Sequence, residues 1–566
     1  MVYRIADNIL SPLGETTQQN YQAVKAGCSA LRCFDHCWNI SEPFCAALFT
    51  ETQNRSIIVD GLTRFESLAY ISSRKALDAT TIDVYNDRVI FILSTTKGNI
   101  ELIADDQTNE TLIYPGTAAK HIALRLGIKT QPITVCNACI SGVSAIILAH
   151  RLLETGYYDY AIVCGADIQT QFTVSGFQSL KAVAAEECKP FDIDRVGLNL
   201  GEAAATIILS QEDVSKSCWS IANGAIRNDG FHISSPSKNG EGARLAIEAA
   251  MSDNNPNELG FINAHGTATM FNDQMESVAI ERSGLQNIPV NALKGYFGHT
   301  LGAAGILETI LSMAALDDGT ILATKGFEEM GVSGRINLSS HHLSTDKHSF
   351  LKMISGFGGG NAAIVVHKNQ ECKYATCYGT YETPHRVTIC PQGVELDGKP
   401  ISICTTGKDL LTDLYKRYVG DYPKFYKMDG LSRLGFIAAE LLMQAEEESD
   451  EVLSEGRAIV FINRTSSIVS DRSFQASIQD VDSFFPSPSI FVYTLPNIVT
   501  GEIAIRHHLH GETSFYILPD KDEKYVDMIL KASLQDKHTH SILGGWIDYQ
   551  DSSHFEAEIC IIKKTI

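Results

Sequence analysis

Along the first 370 residues the apolar positions switch between two periods. "RVIFILS" (88–94), "YAIVCGAD" (160–167), "AATIILS" (204–210) and "NAAIVVH" (361–367) are short β-branched runs bounded by turn residues, the pattern of buried strands. Between them, "LTRFESLAYISSRKALDA" and "GILETILSMAAL" place apolar residues at helical spacing. The alternation predicts an α/β fold with sheets covered on both faces. "GILETILSMAAL" has almost no polar face, so this helix is expected between two sheets and not on a surface.

Near residue 370 the pattern lapses. The stretch "HKNQECKYATCYGTYETPHR" is polar and aperiodic, which predicts a first domain over 1–370, a linker over 371–385 and a second domain over 386–566. The second domain echoes the first. "DGLTRFESLA" (60–69) returns as "DGLSRLGFIA" (429–438), and "VIFILSTT" (89–96) as "VFINRTSS" near 460–467. "GTAAKHIALR" (116–125) matches "IVTGEIAIR" (498–506), and "CGADIQ" (164–169) matches "GGWIDYQ" (544–550). Each match is short, but four in the same order indicate a repeat. The last strand signal, "AEICIIKK" (557–564), corresponds to "AATIILS", so the second domain repeats about the first 200 residues, and nothing in it matches 211–370.

A length of 566 residues exceeds a single hydrophobic core, in agreement with two or more domains. The net charge of −21 argues against nucleic acid as a partner, since phosphate contacts need a basic surface. No apolar run approaches the roughly 18 residues of a membrane helix. The start, "MVYRIADNILSPLG", has neither the basic nor the apolar region of a secretion signal, so a cytoplasmic address is expected. The fourteen cysteines are scattered, and most are expected to be free, small, buried residues. Cys33, Cys37 and His36 could supply half of a zinc site, but the knuckle turns such sites use are missing.

The stretch "VCNACISG" (135–142) holds the chemistry that matters most. Cys136 and Cys139 could be a redox pair, half of a metal site, or one nucleophile with an unrelated neighbour. Strand "PITVC" runs into "NACISG" and then the apolar helix "VSAIILAHRLLETG", the strand–turn–helix of a nucleophile elbow. Cys139 stands where that helix begins, where free N–H groups are expected to lower a thiol pKa and to stabilise an oxyanion on a thioester. Two histidine motifs follow, "INAHGTAT" with His265 and "LKGYFGHTLGAAG" with Lys294 and His299. Both sit in small-residue turns at strand-to-helix junctions, which suits backbone packed closely around a ligand. "SGFGGGNAA" (355–363) adds a glycine-rich loop interrupted by Phe357, without the lysine and helix of a phosphate cradle.

Together "NACISG", "HGTAT", "KGYFGHTLGAAG" and "GFGGGNAA" resemble the β-ketoacyl-[acyl carrier protein] synthases of the thiolase-like fold, in order and spacing across 1–367. "SPLG" (11–14) and "KPFDIDRVGLNLGEAAA" (189–205) fit the same pattern. The Cys-His-His set resembles the elongating synthases. Thiolases carry a second cysteine in the last glycine-rich loop, and the initiating synthases an asparagine in place of His299.

The resemblance implies a five-layered αβαβα domain followed by a half-domain of the same type. It implies that Cys139 accepts an acyl chain from the phosphopantetheine arm of an acyl carrier protein. His265 and His299 then assist decarboxylation of malonyl-carrier protein, and carbon–carbon bond formation follows, with no metal and no cofactor of the enzyme's own. It further implies an oxyanion hole from the backbone of Cys139 and Phe357, with Phe357 as a gate, and a supporting ion pair of Lys294 and Glu308. Thr267, Thr269, Gly356 and Gly358 would contact the pantetheine arm. Met270, Ile140 and "GEAAA" depart from the family pattern, which leaves the acyl chain and the pathway (fatty acid, polyketide or aryl polyene) open.

In the second domain the position 381 residues beyond Cys139 is Asp520, and no histidine motif follows. The domain is therefore expected to be non-catalytic. Synthases of the family dimerise through the half that is duplicated here, so it would take the place of a second subunit, as a chain-length factor does, within one chain or between two. The alternative for the whole chain is a non-catalytic scaffold of chain-length-factor type. A thiol oxidoreductase built on Cys136 and Cys139 lacks a thioredoxin-like context.

Overall fold

The computed structural model describes residues 2–565 apart from 106, 213–218, 369–378 and 447–453. Three five-stranded sheets share one strand order. In the first unit β1 (Val2–Leu10) is followed by α1 (Arg64–Asp78), β2 (Val89–Ser94), α2 (Pro115–Leu126), β3 (Ile133–Val135), α3 (Ser141–Glu154), β4 (Tyr160–Asp167) and β5 (Ala203–Ser210). The strands lie in the order β3-β2-β4-β5-β1, with β2 to β4 parallel and β5 antiparallel to both its neighbours.

The second unit runs β6 (Trp219–Asn228), α4 (Glu241–Met251), β7 (Leu259–Asn263), α5 (Met270–Arg282), β8 (Pro289–Asn291), α6 (Ala304–Asp317), β9 (Ser349–Gly356) and β10 (Gly360–Lys368). Its order, β8-β7-β9-β10-β6, is the same. The third has β11 (Thr380–Cys390), α7 (Gly430–Ala445), β12 (Arg457–Asn463), α8 (Ile498–His507), β13 (Thr513–Ile517), α9 (Glu523–Ser533), β14 (Ser541–Asp551) and β15 (His554–Thr565). Its order is β13-β12-β14-β15-β11. The repeat is thus threefold in topology, although the sequence displays it only between the first and third units.

The alternating strands build the layers. Val89, Phe91 and Leu93 of β2 face Phe65 and Leu68 of α1 and Ala118 and Ile122 of α2. Ile90 and Ile92 face the opposite way, into a core shared by Val143, Ile146 and Ile147 of α3 and Ile306, Leu307 and Ile310 of α6. Helices α4 and α5 cover the outer face of the second sheet. The result is the five-layered αβαβα arrangement, and α6 is sandwiched as its apolar sequence requires. Among the described residues no helix is long and apolar enough to cross a membrane.

The expected linker is shorter than 371–385. Residues 371–378 lie outside the described residues, and 380–385 belong to β11, which pairs along β15 from Thr380↔Thr565 to Ile389↔Ala557. Polar positions on β11 hid it, because only Val387 and Ile389 of this strand are buried.

The third unit joins the first within one continuous sheet. β13 pairs antiparallel with β3 through Tyr516↔Val135 and Ile517↔Thr134. The repeated "DGL" segments start equivalent helices: Thr63 caps α1 by accepting from Glu66 N, and Asp429 caps α7 by accepting from Ser432 N. Thr95 Oγ1 and Thr96 N donate to Asp167, and Thr465 Oγ1 and N donate to Asp548 in the same way. Among the described residues four buried ion pairs tie the third unit to the others: Lys97–Asp471 at 2.7 Å, Arg151–Glu512 at 2.8 Å, Arg151–Asp536 at 3.6 Å and Arg227–Asp536 at 2.8 Å.

The first and third units differ on one strand face. Ala166 pairs with Ala204 in the first unit and Ile547 with Ala557 in the third, so β5 and β15 are equivalent strands. Ala203, Ala205 and Ile207 of β5 point into the central core. Their counterparts, Glu556, Glu558 and Cys560, are part-exposed or exposed.

Candidate active site

Two helix starts meet at the site, and glycine lets them meet. A Cβ on Gly142 of α3 would lie 3.0 Å from Ile306 N, and one on Gly305 of α6 would lie 2.6 Å from Val143 N. The two helices therefore touch backbone to backbone, and the turns before them, carrying Cys139 and His299, fall side by side. The turn before α3 steps through a left-handed residue, Ala138 with φ 49°, and Ser141 Oγ closes it by accepting from Asn137 N at 2.8 Å. The turn before α6 repeats the step at Leu301 with φ 51°. A left-handed non-glycine residue is strained, and strain of this kind gathers at functional turns.

Cys139 Sγ and one ring nitrogen each of His265 and His299 all lie within 4.8 Å of one another, and all three residues are buried. The imidazoles stand edge to face, 4.9 Å between centroids. Burial, with the charge of Lys294 next in weight, drives both histidine pKa values well below 6.5, so both rings are neutral. Leu301 N donates to His299 Nδ1 at 3.3 Å, which leaves the proton on Nε2, buried and without a protein partner.

The thiol behaves differently from the sequence expectation. Burial pushes the Cys139 pKa up to about 12, against the opposing pull of Lys294 and of the backbone N–H groups of Cys139 and Phe357. Of the helix start only the Cys139 N–H reaches the sulfur, with the Phe357 N–H added from the turn between β9 and β10, and desolvation outweighs both, so Cys139 rests as a thiol.

Beneath His265 lies a group of four buried ionisable side chains, those of Lys294, Glu308, Lys352 and Glu276. Lys294 Nζ donates to His265 O and to Glu308 Oε1, both at 2.7 Å. Lys352, in the middle of β9, donates to the other oxygen of Glu308 and, at 3.4 Å, to Ala264 O. Burial opposes ionisation of Glu308, but the two ammonium groups hold its carboxyl below the usual range. Glu276 of α5 accepts from His265 N at 2.6 Å and Gly266 N at 2.7 Å. Lys294 and Glu308 form the pair the motifs suggested. Lys352 and Glu276 were missed, although a lysine inside the apolar strand "FLKMISG" was a readable signal.

The glycine-rich segment is the turn between β9 and β10, with Phe357 at its tip and Gly358 and Gly359 at φ 88° and 75°. A Cβ on Gly356 would lie 3.1 Å from Cys139 N, and one on Gly360 would lie 2.9 Å from Ile140 Cδ1. The unusual Ile140 thus fits because residue 360 has no side chain. A cavity of about 390 Å³ is lined by Cys139, His265, His299, Phe177, Thr267 and Thr269, with Gly356 and Phe357 along it and the exposed Met270 and Phe271 at its mouth. The hydroxyls of Thr267 and Thr269 are 2.9 Å apart. Gly358 lies behind Phe357, where its N–H donates to Ile233 O at 2.7 Å.

Cys136 takes no part in a pair. It is free and fully buried at the end of β3, and its Sγ donates to Thr96 O at 3.4 Å. The expectation of scattered free cysteines fails at one place: Cys33 and Cys45 face each other on paired strands and are disulfide-bonded, which also removes Cys33 from any zinc set. Asp520, the counterpart of Cys139, is exposed and pairs with Lys120 at 2.8 Å.

Comparison with known proteins agrees with this geometry. Residues 92–214 match the family model for the β-ketoacyl synthase N-terminal domain and residues 219–328 that for the C-terminal domain. A 3-oxoacyl-[acyl-carrier-protein] synthase 2 of Vibrio cholerae is 25% identical over 416 residues, covering 64% of this chain and 97% of its own. The solved ketosynthase ApeO in complex with its chain length factor ApeC, from Xenorhabdus doucetiae, is 25% identical with a TM-score of 0.56, over 65% of this chain and 98% of that one. The keto synthase–chain length factor PfaC matches in fold over 100% of this chain and 78% of its own, with a TM-score of 0.78 and 14% identity. Fold and motifs together define a carbon–carbon bond-forming acyltransferase. Residues 92–214 and 219–328 thus carry the N- and C-terminal domains of a β-ketoacyl synthase.

Proposed function

We propose that Cys139, His265 and His299 carry out decarboxylative Claisen condensation on carrier-bound substrates. The observation that supports this most is a buried thiol beside two neutral imidazoles, with the Cys139 and Phe357 N–H groups at the sulfur.

In the first stage Cys139 attacks the thioester carbonyl of an acyl chain on a phosphopantetheine arm. The thiol proton passes to a neighbouring imidazole, which gives it to the departing pantetheine sulfur. The N–H groups of Cys139 and Phe357 hold the oxyanion of the tetrahedral intermediate. In the second stage a malonyl thioester enters past Thr267 and Thr269, which bind the arm together with Gly356; Gly358, expected there too, faces away from the cavity, with its N–H bonded to Ile233 O and its carbonyl to Asn228. The neutral histidines donate to the thioester oxygen, CO2 leaves, and the enolate carbon attacks the acyl group on Cys139. The carbon–carbon bond forms, the Cys139–acyl bond breaks, and the cysteine sulfur recovers a proton. Lys294 and Glu308 keep the His265 turn in place, and Phe357 stands as the gate between the acyl and malonyl sides. No step calls on a metal or on a cofactor of the protein's own.

The third unit, expected from the sequence over 386–566 and beginning structurally at Thr380, stands in for a second subunit, packed in cis through β13. The matching strand order and the local two-fold at β3 support this reading. With acyl- and malonyl-carrier proteins as substrates, Cys139→Ala is expected to abolish the β-ketoacyl product and His299→Ala to slow its formation by about 10²–10⁴-fold. Product formed by Cys139→Ala at the wild-type rate would overturn the assignment.

A further inference from the structure

The turn at 356–360 is closed by the Gly356↔Gly360 pair, and glycine stands on both sides of Phe357 at its tip. Gly356 precedes Phe357, and Gly358 and Gly359 follow it with φ 88° and 75°. Glycine takes such backbone angles and many others at little steric cost, so contacts from outside add to what holds the tip. The structure supplies external hydrogen bonds to three successive residues. Asn497 Nδ2 donates to Phe357 O at 2.8 Å. Asn228 Nδ2 donates to Gly358 O at 2.8 Å and to Thr513 Oγ1 at 3.0 Å. Asp229 N donates to Gly359 O at 2.8 Å.

Two of these tethers lead to the third unit. Asn497 stands at the start of α8, and Thr513 begins β13. One turn into α8, Gly501 packs so closely on the loop that a Cβ there would lie 2.5 Å from Gly358 O. Asn497 is largely buried, and its Oδ1 has no hydrogen-bond partner, so the side chain is held chiefly by its bond to Phe357. It does not line the catalytic cavity.

We infer that Asn497 is a positioning residue for the condensation: by holding the Phe357 carbonyl, in the peptide unit that follows the Phe357 N–H, the third unit restricts the backbone angles of Phe357 and so steadies the N–H that faces Cys139 Sγ. The inference rests on the proposed acyl transfer to Cys139. It makes the third unit a functional part of the site as well as a packing partner. The catalytic cysteine, both histidines and the oxyanion donors all lie in the first two units, yet the turn carrying one donor is held by the third.

The test compares two reactions of the same sulfur. Acyl transfer from a carrier-bound thioester passes through an oxyanion, whereas alkylation by iodoacetamide does not. Asn497→Asp keeps the shape of the side chain and removes the donor, and Asn497→Ala removes both. The expected result is an acylation rate at Cys139 lowered tenfold or more in each variant, with alkylation of Cys139 and the melting temperature near wild type. Lowering the pH should partly restore acylation in Asn497→Asp alone, since a protonated carboxyl can donate to the Phe357 carbonyl. Acylation within twofold of wild type in folded Asn497→Asp would overturn the inference, as would equal slowing of both reactions or loss of folding in both variants. Wild-type protein that fails to acylate Cys139 would instead count against the proposed function itself.

Discussion

Val135 and Tyr516 lie opposite each other on adjacent antiparallel strands, 381 residues apart. The same separation links Asp167 to Asp548, each holding a threonine of its own unit. A local two-fold axis therefore passes between Val135 and Tyr516, four residues before Cys139. Next to it, Phe515 N donates to Asn137 Oδ1 at 2.6 Å, and Cys136 N donates to Phe515 O at 3.1 Å. The seam between the units thus abuts the catalytic turn. Phe515→Pro removes a seam donor inside a central strand and should cost about 3 kcal/mol or more by denaturant unfolding. A loss below about 1 kcal/mol would show that the seam is not a structural joint.

The ion pairs across the seam make stability sensitive to acid. Arg227 and Arg151 hold the Asp536 carboxyl well below the usual carboxylate range, although burial opposes them. A group whose folded pKa is depressed stabilises fully above its unfolded value near 4 and loses that contribution as pH falls through the folded value. Asp536→Asn should therefore flatten the fall in melting temperature on the acid side of about pH 4. Asp536→Ala leaves two buried guanidinium groups short of a partner and should cost about 3–5 kcal/mol at pH 7. Acid profiles that superimpose for wild type and Asp536→Asn would refute the linkage.

Removing the third unit altogether exposes β3, the face around Phe177 and the partners of four buried ion pairs. A chain ending at residue 370 is expected to be insoluble or unstable. A soluble truncated protein with unchanged activity and product length would contradict the role of the third unit.

The fold was legible where one period dominated. β4 (Tyr160–Asp167) coincides with its run "YAIVCGAD", and α6 is enclosed as its apolar sequence demands. Cys139, His265 and His299 were legible because small-residue turns bracket each of them. The fold repeat in the second unit was not, because equivalent positions there share a backbone path and not side chains: Leu301 matches Ala138 only in its left-handed turn. Lys352 and Glu276 escaped because they serve the site from the middle of a strand and a helix, where motif spacing says nothing. Asn497 could not be found from sequence at all, since its partner is a carbonyl 140 residues away.

The protonation states fix the shape of the pH dependence. With both imidazoles well below 6.5, kcat/KM should show no acid limb near pH 6.5. With the thiol raised to about 12, alkylation of Cys139 should quicken about tenfold for each pH unit from 7 to 10. A plateau in alkylation already at neutral pH would mean a resting thiolate and would reverse the balance between burial and the helix start.

Behind Phe177, which lines the cavity, stand aromatic rings from the third unit. Phe491 meets Phe177 edge to face at 5.4 Å and packs on Phe474 at 5.2 Å. A Cβ on Gly176 would lie 2.0 Å from the Phe491 ring, so glycine there makes the room Phe491 occupies. Phe491→Ala should cost about 3–5 kcal/mol and lengthen the longest acyl chain that Cys139 accepts. An unchanged cut-off across a series of chain lengths would place the end of the acyl pocket elsewhere.

The most direct test weighs the intact protein after incubation with an acyl-carrier protein. The expected result is one acyl group per chain, retained in Cys136→Ser and absent in Cys139→Ala. An adduct that persists in Cys139→Ala, or a Cys136–Cys139 disulfide that cycles with reductant in place of an adduct, would contradict the account.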